Sequence, residues 1–490
     1  MSYTVSLTRN PNLSAPKTDR SAPNEVQKEF GSSWWTGLPP EKCPGFDSQR
    51  GCLEALPLVN LKIASRQDIL DYFNNTWTLT EVLFTALKNE STYTRPPYHQ
   101  LRHPLIFYYG HPAVLYLNKM RLAGLLPQPV DLYLEKILET GVDEMSWDDM
   151  SKNEMVWPSV KEVRDYRQKI YNIVVEVIQK HPDLDDPAKR GWNSPLWSLF
   201  MGFEHEKIHF ETSSVLMREL PLELVETPRY WMPMHPSSEM KTPVQPQEAR
   251  DYPQNSWMKI VGGEVHYGKP KEAPSFGWDN EYGSRTKTVK DFQVTSQLIT
   301  NGEYYEFVSS LAYGEDKYWS TEGLQWRKFR NTKRPPFWVA YGPEGLHDYK
   351  LRTLFEIIDM PWSWPVEVNY HEAQAFCRWR QEKDRSSLHY RLLTEPEHVL
   401  LREVQTPDPV LQTCSYGKGT SAAKDIPFNF NFAFSSPSPV NFYPANSRGV
   451  ADLFGNVWQW VEDQFNPLDG FSVHPLYDDF STPCFDGKHQ

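Results

Sequence analysis

A chain of 490 residues with 39% hydrophobic side chains is long enough for about two to four domains with real cores, and too apolar to be disordered. Its formal charge of −12, from 63 acidic against 51 basic residues, shows no Lys/Arg cluster, which argues against nucleic acid as a partner. Five scattered cysteines make a poor disulfide framework, the N-terminus lacks a secretory apolar core, and no run approaches the ~18–20 apolar residues of a membrane span. The expectation is a soluble, cytoplasmic protein that uses no membrane.

Residues 1–55 are polar at first and lead to Trp34-Trp35, which reads as a flexible lead-in that docks through its aromatic residues. The stretch 56–222 has a helical period. Ser65 with Asp68 forms a capping-box pattern, followed by Ile69, Phe73, Trp77, Phe84 and Leu87 on one face. A second apolar stretch runs from Pro104 toward Leu125, and a third carries the stripe Val160, Val163, Tyr166, Ile170, Val174 and Ile178. The fourth, Trp197 to Leu220, stops at Pro221. Four such helices predict a bundle, an architecture that builds metal sites from inward-pointing side chains.

Residues 223–256 are rich in proline and read as a linker. From 257 to 490 the texture changes. Lys259–Gly268 alternates around Gly262-Gly263 and predicts a hairpin, and short helices are expected near Asn301 and from Glu372 to Arg380. The fold class is therefore multi-domain: an α bundle followed by an α+β domain with much irregular structure.

The sharpest local signal is His205-Glu206-Lys207-Ile208-His209. Two histidines four apart share one helix face, with about 5–6 Å between their Cβ atoms, so both rings can reach one metal ion. The same letters spell the zinc-peptidase pattern, in which Glu206 would be the general base, and they also fit a chance pair on a helix. A third ligand could be His111 or His103; either is equally readable as a core histidine. Pro112 suggests a kink or a helix start at His111. Three imidazoles alone do not choose among zinc, copper, nickel and iron.

Two blocks resemble known families. The bundle, with one early His and a late His-x-x-x-His pair, is similar to DinB-like metal-binding domains. The second half resembles the formylglycine-generating-enzyme family, a C-type-lectin-like fold, through Ile260–Glu264, Thr300–Tyr304, Pro365–Tyr370, Arg391–Glu397 and Asp452–Trp460 in that order. The pair together resembles the sulfoxide synthases of ergothioneine and ovothiol biosynthesis, with Phe276–Glu281 shared in type by both branches. Trp34–Pro40, Leu101–His111 and Tyr477–Pro483 are similar to the ovothiol branch.

That resemblance implies Fe(2+) held by His111, His205 and His209, with Glu206 supporting the site by orienting a ligand and Tyr477 as the active-site tyrosine. It implies L-histidine, L-cysteine and O2 as substrates and 5-histidylcysteine sulfoxide as product. It also implies two strands after Gln490, and in many ovothiol enzymes a methyltransferase domain, so the second domain is expected to be C-terminally incomplete. Rival expectations are a catalytically impaired truncated paralogue and a zinc metallopeptidase.

Overall fold

The computed structural model describes residues 36–97, 102–139, 156–402 and 428–490. Trp34, Trp35 and Cys414 lie outside the described residues, as does Leu101 at the start of one family-like segment.

Helix α1 (Arg66–Phe84) starts where the sequence places it. Ser65 Oγ accepts from the Asp68 N–H at 3.1 Å, and Asp68 returns a bond to the Ser65 N–H at 2.7 Å. From Tyr72 to Phe84 every residue of α1 is buried, which makes it the inner helix of the bundle. Asn75 donates to the Pro44 and Glu54 carbonyls and so binds the 36–55 segment to the bundle.

Helix α2 (Leu105–Leu122) is continuous through Pro112, with Pro104 as its N-cap. The helix start considered at His111 is therefore replaced by one six residues earlier in the chain, since Pro104 fits the N-cap and ends the preceding extended stretch. A short helix that the periodicity does not show, α3 (Leu132–Glu139), packs against α2. Helix α4 (Val160–Lys180) has its own capping box at Ser159 and Glu162, and buries the whole stripe from Val160 to Ile178. Helix α5 (Trp197–Arg218) packs on α1 and α2. At Gly202 a Cβ would stand 2.2 Å from Tyr116 Cδ1, so glycine lets α5 approach α2 closely at this point.

Part of the segment 223–256 is packed, with Tyr230, Trp231 and Met232 buried, while Met240 and Val244 are exposed. Trp231 is buried against Phe210, Phe355 and Phe432. Beyond it, β1 (Trp257–Ile260) pairs with β4 (Phe292–Thr295), and β2 (Gly263–Tyr267) pairs with β3 (Arg285–Val289). The hairpin expected within Lys259–Gly268 is thus corrected. Both pairings share one antiparallel register, so 257–267 is a single extended arm laid along 285–295. Gly262 interrupts it because a Cβ there would meet the Val289 carbonyl oxygen at 2.2 Å; its N–H bonds Asp291 Oδ1 instead.

Helix α6 (Asn301–Ser309), helix α7 (Thr321–Arg330), the sheet β5–β6–β7 (Trp338–Ala340, Tyr349–Arg352, Ile357–Asp359) and helix α8 (Tyr370–Lys383) follow. They enclose an aromatic core around Tyr304, Phe307, Trp338, Trp362, Trp364 and Phe376. Phe276, Tyr282, Phe355 and Tyr477 from this half join the bundle's own core, so the two halves share apolar contact. Arg218 at the end of α5 pins the join, with both carboxylate oxygens of Glu367 at 2.7 and 2.9 Å. Among the described residues no helix is long and apolar enough to cross a membrane, and the four described cysteines are free thiols.

Candidate metal centre

His205 and His209 are one turn apart on α5, and helix pitch alone brings their Nε2 atoms to 3.1 Å. His111 comes from α2. Its ring centroid lies 5.0 Å from that of His205 and 4.8 Å from that of His209. One nitrogen from each of the three rings lies within 4.8 Å of the others, and all three residues are buried.

One of the three rings is held by a backbone partner, while Nδ1 of His205 and Nδ1 of His209 are buried without one in the described structure. His111 Nδ1 faces the Leu138 carbonyl oxygen at 2.7 Å, which fixes the proton on Nδ1 and leaves Nε2 unprotonated. His111 Nε2 is buried without a hydrogen-bond partner in the described structure. Burial pushes the His111 imidazole down to about 4, with His103 and Lys119 adding to the effect against the Leu138 bond. Burial also drives His205 and His209 well below the ordinary range, helped by the neighbouring rings. Three neutral imidazoles packed with lone pairs converging are a poor arrangement for protons and a good one for a cation.

His103, the other early candidate, stands apart. Its ring packs tilted against Phe107 at 4.5 Å and edge-on to Trp157 at 5.6 Å, outside the cluster.

Glu206 faces a different part of the bundle. Its carboxylate is fully buried and accepts from Arg167 Nη2 at 3.1 Å, with the Tyr116 and Thr80 hydroxyls alongside. None of its described bonds goes to an imidazole. Burial raises its carboxyl while Arg167 opposes the rise. Arg167 also donates to Glu81 Oε1 at 2.8 Å and to the Tyr109 carbonyl at 2.9 Å. Burial would lower the guanidinium's proton affinity, but Glu81 and Glu206 outweigh it.

Tyr477 is buried beside the cluster, its ring centroid 6.4 Å from that of His205. Phe480 packs on it at 5.1 Å, and Lys119 of α2 sits over its face. A shallow recess lies here, lined by Trp192, Trp197, Met201, Trp278, His474 and Tyr477. Two contacts clip this part of the chain in place. Ser481 Oγ donates to Asp279, and Phe480 stacks on Trp278 at 4.1 Å.

Sequence reasoning singled out His111, His205, His209, Glu206 and Tyr477; the structure places the three histidines together, Tyr477 next to them and Glu206 on the Arg167 side. It missed the Leu138 carbonyl, Lys119 and Arg167. The last had a signal: Arg167 falls on the apolar stripe between Val163 and Ile170, where an arginine needs a buried partner.

Residues 241–487 match the sulfatase-modifying factor enzyme 1-like domain. Hercynine oxygenase of Mycobacterium tuberculosis is 30% identical over 217 residues, which is 43% of this chain and 47% of that protein. Ergothioneine biosynthesis protein 1 of Schizosaccharomyces pombe is 23% identical over 425 residues, 79% of this chain and 47% of the relative. Its Neurospora crassa counterpart is 23% identical over 489 residues, 86% of this chain and 53% of the relative. The chain spans about half the length of these curated relatives, and the last two alignments reach well beyond the matched domain into the helical half.

Proposed function

Because the chain belongs to the sulfatase-modifying factor enzyme 1-like family, we propose that it is an iron(II)-dependent sulfoxide synthase joining the sulfur of L-cysteine to the imidazole of L-histidine. The product is 5-histidylcysteine sulfoxide, on the route to ovothiol. The observation that carries the reading is the convergence of His111, His205 and His209 on one point beside the recess.

The residues fit a metal ion on two counts. Nitrogens each about 2.1 Å from one ion and at right angles lie about 3 Å apart, which agrees with the 3.1 Å between His205 Nε2 and His209 Nε2. In addition, His111 Nε2 is buried without a hydrogen-bond partner in the described structure, a lone pair that a cation would satisfy. Three imidazoles leave further coordination positions open, as in oxygenases with three protein ligands on one face.

Bound iron would supply the O2 and one-electron chemistry that side chains lack. The chain's own residues then have separable tasks. The three histidines hold the centre at the junction of the bundle and the second half. Bringing both amino acids to this centre would make the coupling effectively intramolecular, with Trp192, Trp197, Trp278 and Tyr477 as the apolar wall beside it. Tyr477 would deliver a proton or hydrogen atom from its phenolic oxygen, favouring coupling over oxidation of cysteine alone. The balance closes without another reductant: the thiol and the ring carbon each lose a hydrogen, O2 gives one oxygen to sulfur, and the other leaves as water.

The peptidase alternative is weakened by Glu206, which a general base would need to turn toward a metal-bound water. Arg167 holds it in the bundle interior instead. A second reading, with hercynine in place of histidine, draws on the name of the mycobacterial relative. Iron-loaded protein incubated with O2, L-cysteine and either L-histidine or hercynine, followed by mass spectrometry, separates these. A coupled sulfoxide from histidine is expected; cysteine oxidation alone, with iron bound, would defeat the proposal.

A further inference from the structure

The spacing of His205 and His209 is set within one helix, but the distance from either of them to His111 crosses between two helices and needs a separate tie. We propose that Arg167 is that tie, a positioning residue that fixes the His111 helix against the helix of His205 and His209. The inference rests on the reading of the cluster as a metal centre.

One guanidinium reaches three helices from a fourth. Nε of Arg167, on α4, bonds Glu81 of α1 at 2.8 Å. Nη1 bonds the carbonyl of Tyr109 on α2, two residues before His111, at 2.9 Å. Nη2 bonds Glu206 on α5, the neighbour of His205, at 3.1 Å. The side chains of Arg167, Glu81 and Glu206 are fully buried. The guanidinium carbon also lies 4.1 Å from the centroid of the Trp77 ring and 4.8 Å from that of Tyr109.

The planar fork of arginine fixes the directions of these bonds relative to one another, so the contacts specify positions as well as attraction. A slide of α2 along α5 would break the Tyr109 or the Glu206 contact in a place that water does not reach, where an unmet donor is costly. Stability alone is a weak reason for such an assembly, because apolar residues of similar volume often serve a core as well or better. Two of the three contacts, however, attach next to the metal-facing histidines.

The third contact supplies the control. Glu81 is on α1, which carries no member of the cluster. Its other oxygen accepts from the Tyr109 hydroxyl of α2 at 2.9 Å, but a glutamine amide can still meet that hydroxyl. Glu81→Gln should therefore lower stability and leave the centre's geometry intact. Arg167→Lys keeps the charge and loses the fork. Cobalt(II) serves as a probe, since its visible spectrum reports ligand geometry independently of turnover. Arg167→Lys is expected to fold by circular dichroism, bind cobalt about 10- to 100-fold more weakly and show an altered spectrum. Glu81→Gln is expected to keep the parental spectrum, with affinity within about threefold.

Should Arg167→Lys fail to fold, the triple variant Arg167→Leu, Glu206→Leu and Glu81→Gln removes the tie and all three buried charges together. The amide of Glu81→Gln can still meet Thr36 and Tyr109. The same loss of cobalt affinity and the same spectral change are then expected. Parental affinity and spectrum in a folded Arg167 variant would overturn the tie alone. A parent protein that takes up no cobalt or iron would overturn the metal reading and this inference with it.

Discussion

Lys119 Nζ stands 3.7 Å from the centroid of the Tyr477 ring, joining α2 two turns past His111 to the last stretch of the chain. A phenylalanine ring offers the same face to the ammonium and the same edge to Phe480. Tyr477→Phe therefore deletes the phenolic O–H and little else. Iron content should match the parent, and stability should change by no more than about 1 kcal/mol. The ratio of products should move from coupled sulfoxide toward oxidised cysteine. An unchanged ratio would remove Tyr477 from the chemistry.

The three histidines make a sharper test because the early ligand had a rival. His111→Ala, His205→Ala and His209→Ala should each abolish stoichiometric iron binding, as each removes one of three converging nitrogens. His103→Ala should leave most of it, since that ring packs on Phe107 and Trp157 outside the cluster. Metal analysis after desalting reads the result. Equal loss at His103 would mean that the early ligand has been misassigned.

Close helix approach near the centre gives a third expectation. Alanine at Gly202 would put its Cβ 2.2 Å from Tyr116 Cδ1 and 2.3 Å from Cε1, and the Tyr116 ring is fully buried. Helix α5 must retreat from α2 or the ring must shift, at a cost of about 1–3 kcal/mol. Iron affinity should fall with it, because both helices carry proposed ligands. Gly191→Ala, where nothing lies within 4 Å, is the control and should be nearly silent in denaturant unfolding. Equal stability of the two variants would show that the approach at Gly202 has slack.

Much of the bundle was legible because its signals are local. Ser65 and Ser159 each open a helix by a capping box, and the stripe from Val160 to Ile178 repeats at helical spacing. The pair His205 and His209 was legible for the same reason. What orients His111 was not, because a backbone carbonyl at Leu138 looks like any other in a sequence. The arm 257–267 was misread because alternation around two glycines has the same appearance in a tight hairpin and in a long arm. Only the distant partner strand, 285–295, decides between them. Nothing local distinguishes Tyr477 among 25 tyrosines either. Its place beside His205 depends on contacts such as Ser481 to Asp279 that join remote parts of the chain.

Glu372 provides a pH test remote from the centre. It is fully buried at the start of α8, where it accepts from the Asn369 N–H at 2.8 Å and from the Tyr313 hydroxyl at 2.7 Å. Burial pushes its carboxyl from 4.5 up to about 7, against those two bonds. Below about pH 4.5 folded and unfolded chains both hold this proton, so its contribution to stability is complete there. Between 4.5 and about 7 the folded chain binds more protons than the unfolded one, so rising pH removes stability, and the loss levels off above 7. At about 1.4 kcal/mol per pH unit the interval corresponds to roughly 3 kcal/mol. Glu372→Gln cannot titrate, yet its amide oxygen can still accept one of the two bonds. Relative to the parent, the variant should thus gain roughly 2–3 kcal/mol in urea unfolding between pH 4.5 and pH 8, whatever its offset at low pH. A difference that stays flat across that range would mean that Glu372 loses its proton as easily in the folded chain as in the unfolded one, and that the interior around Tyr313 and α8 is wetter than its packing implies.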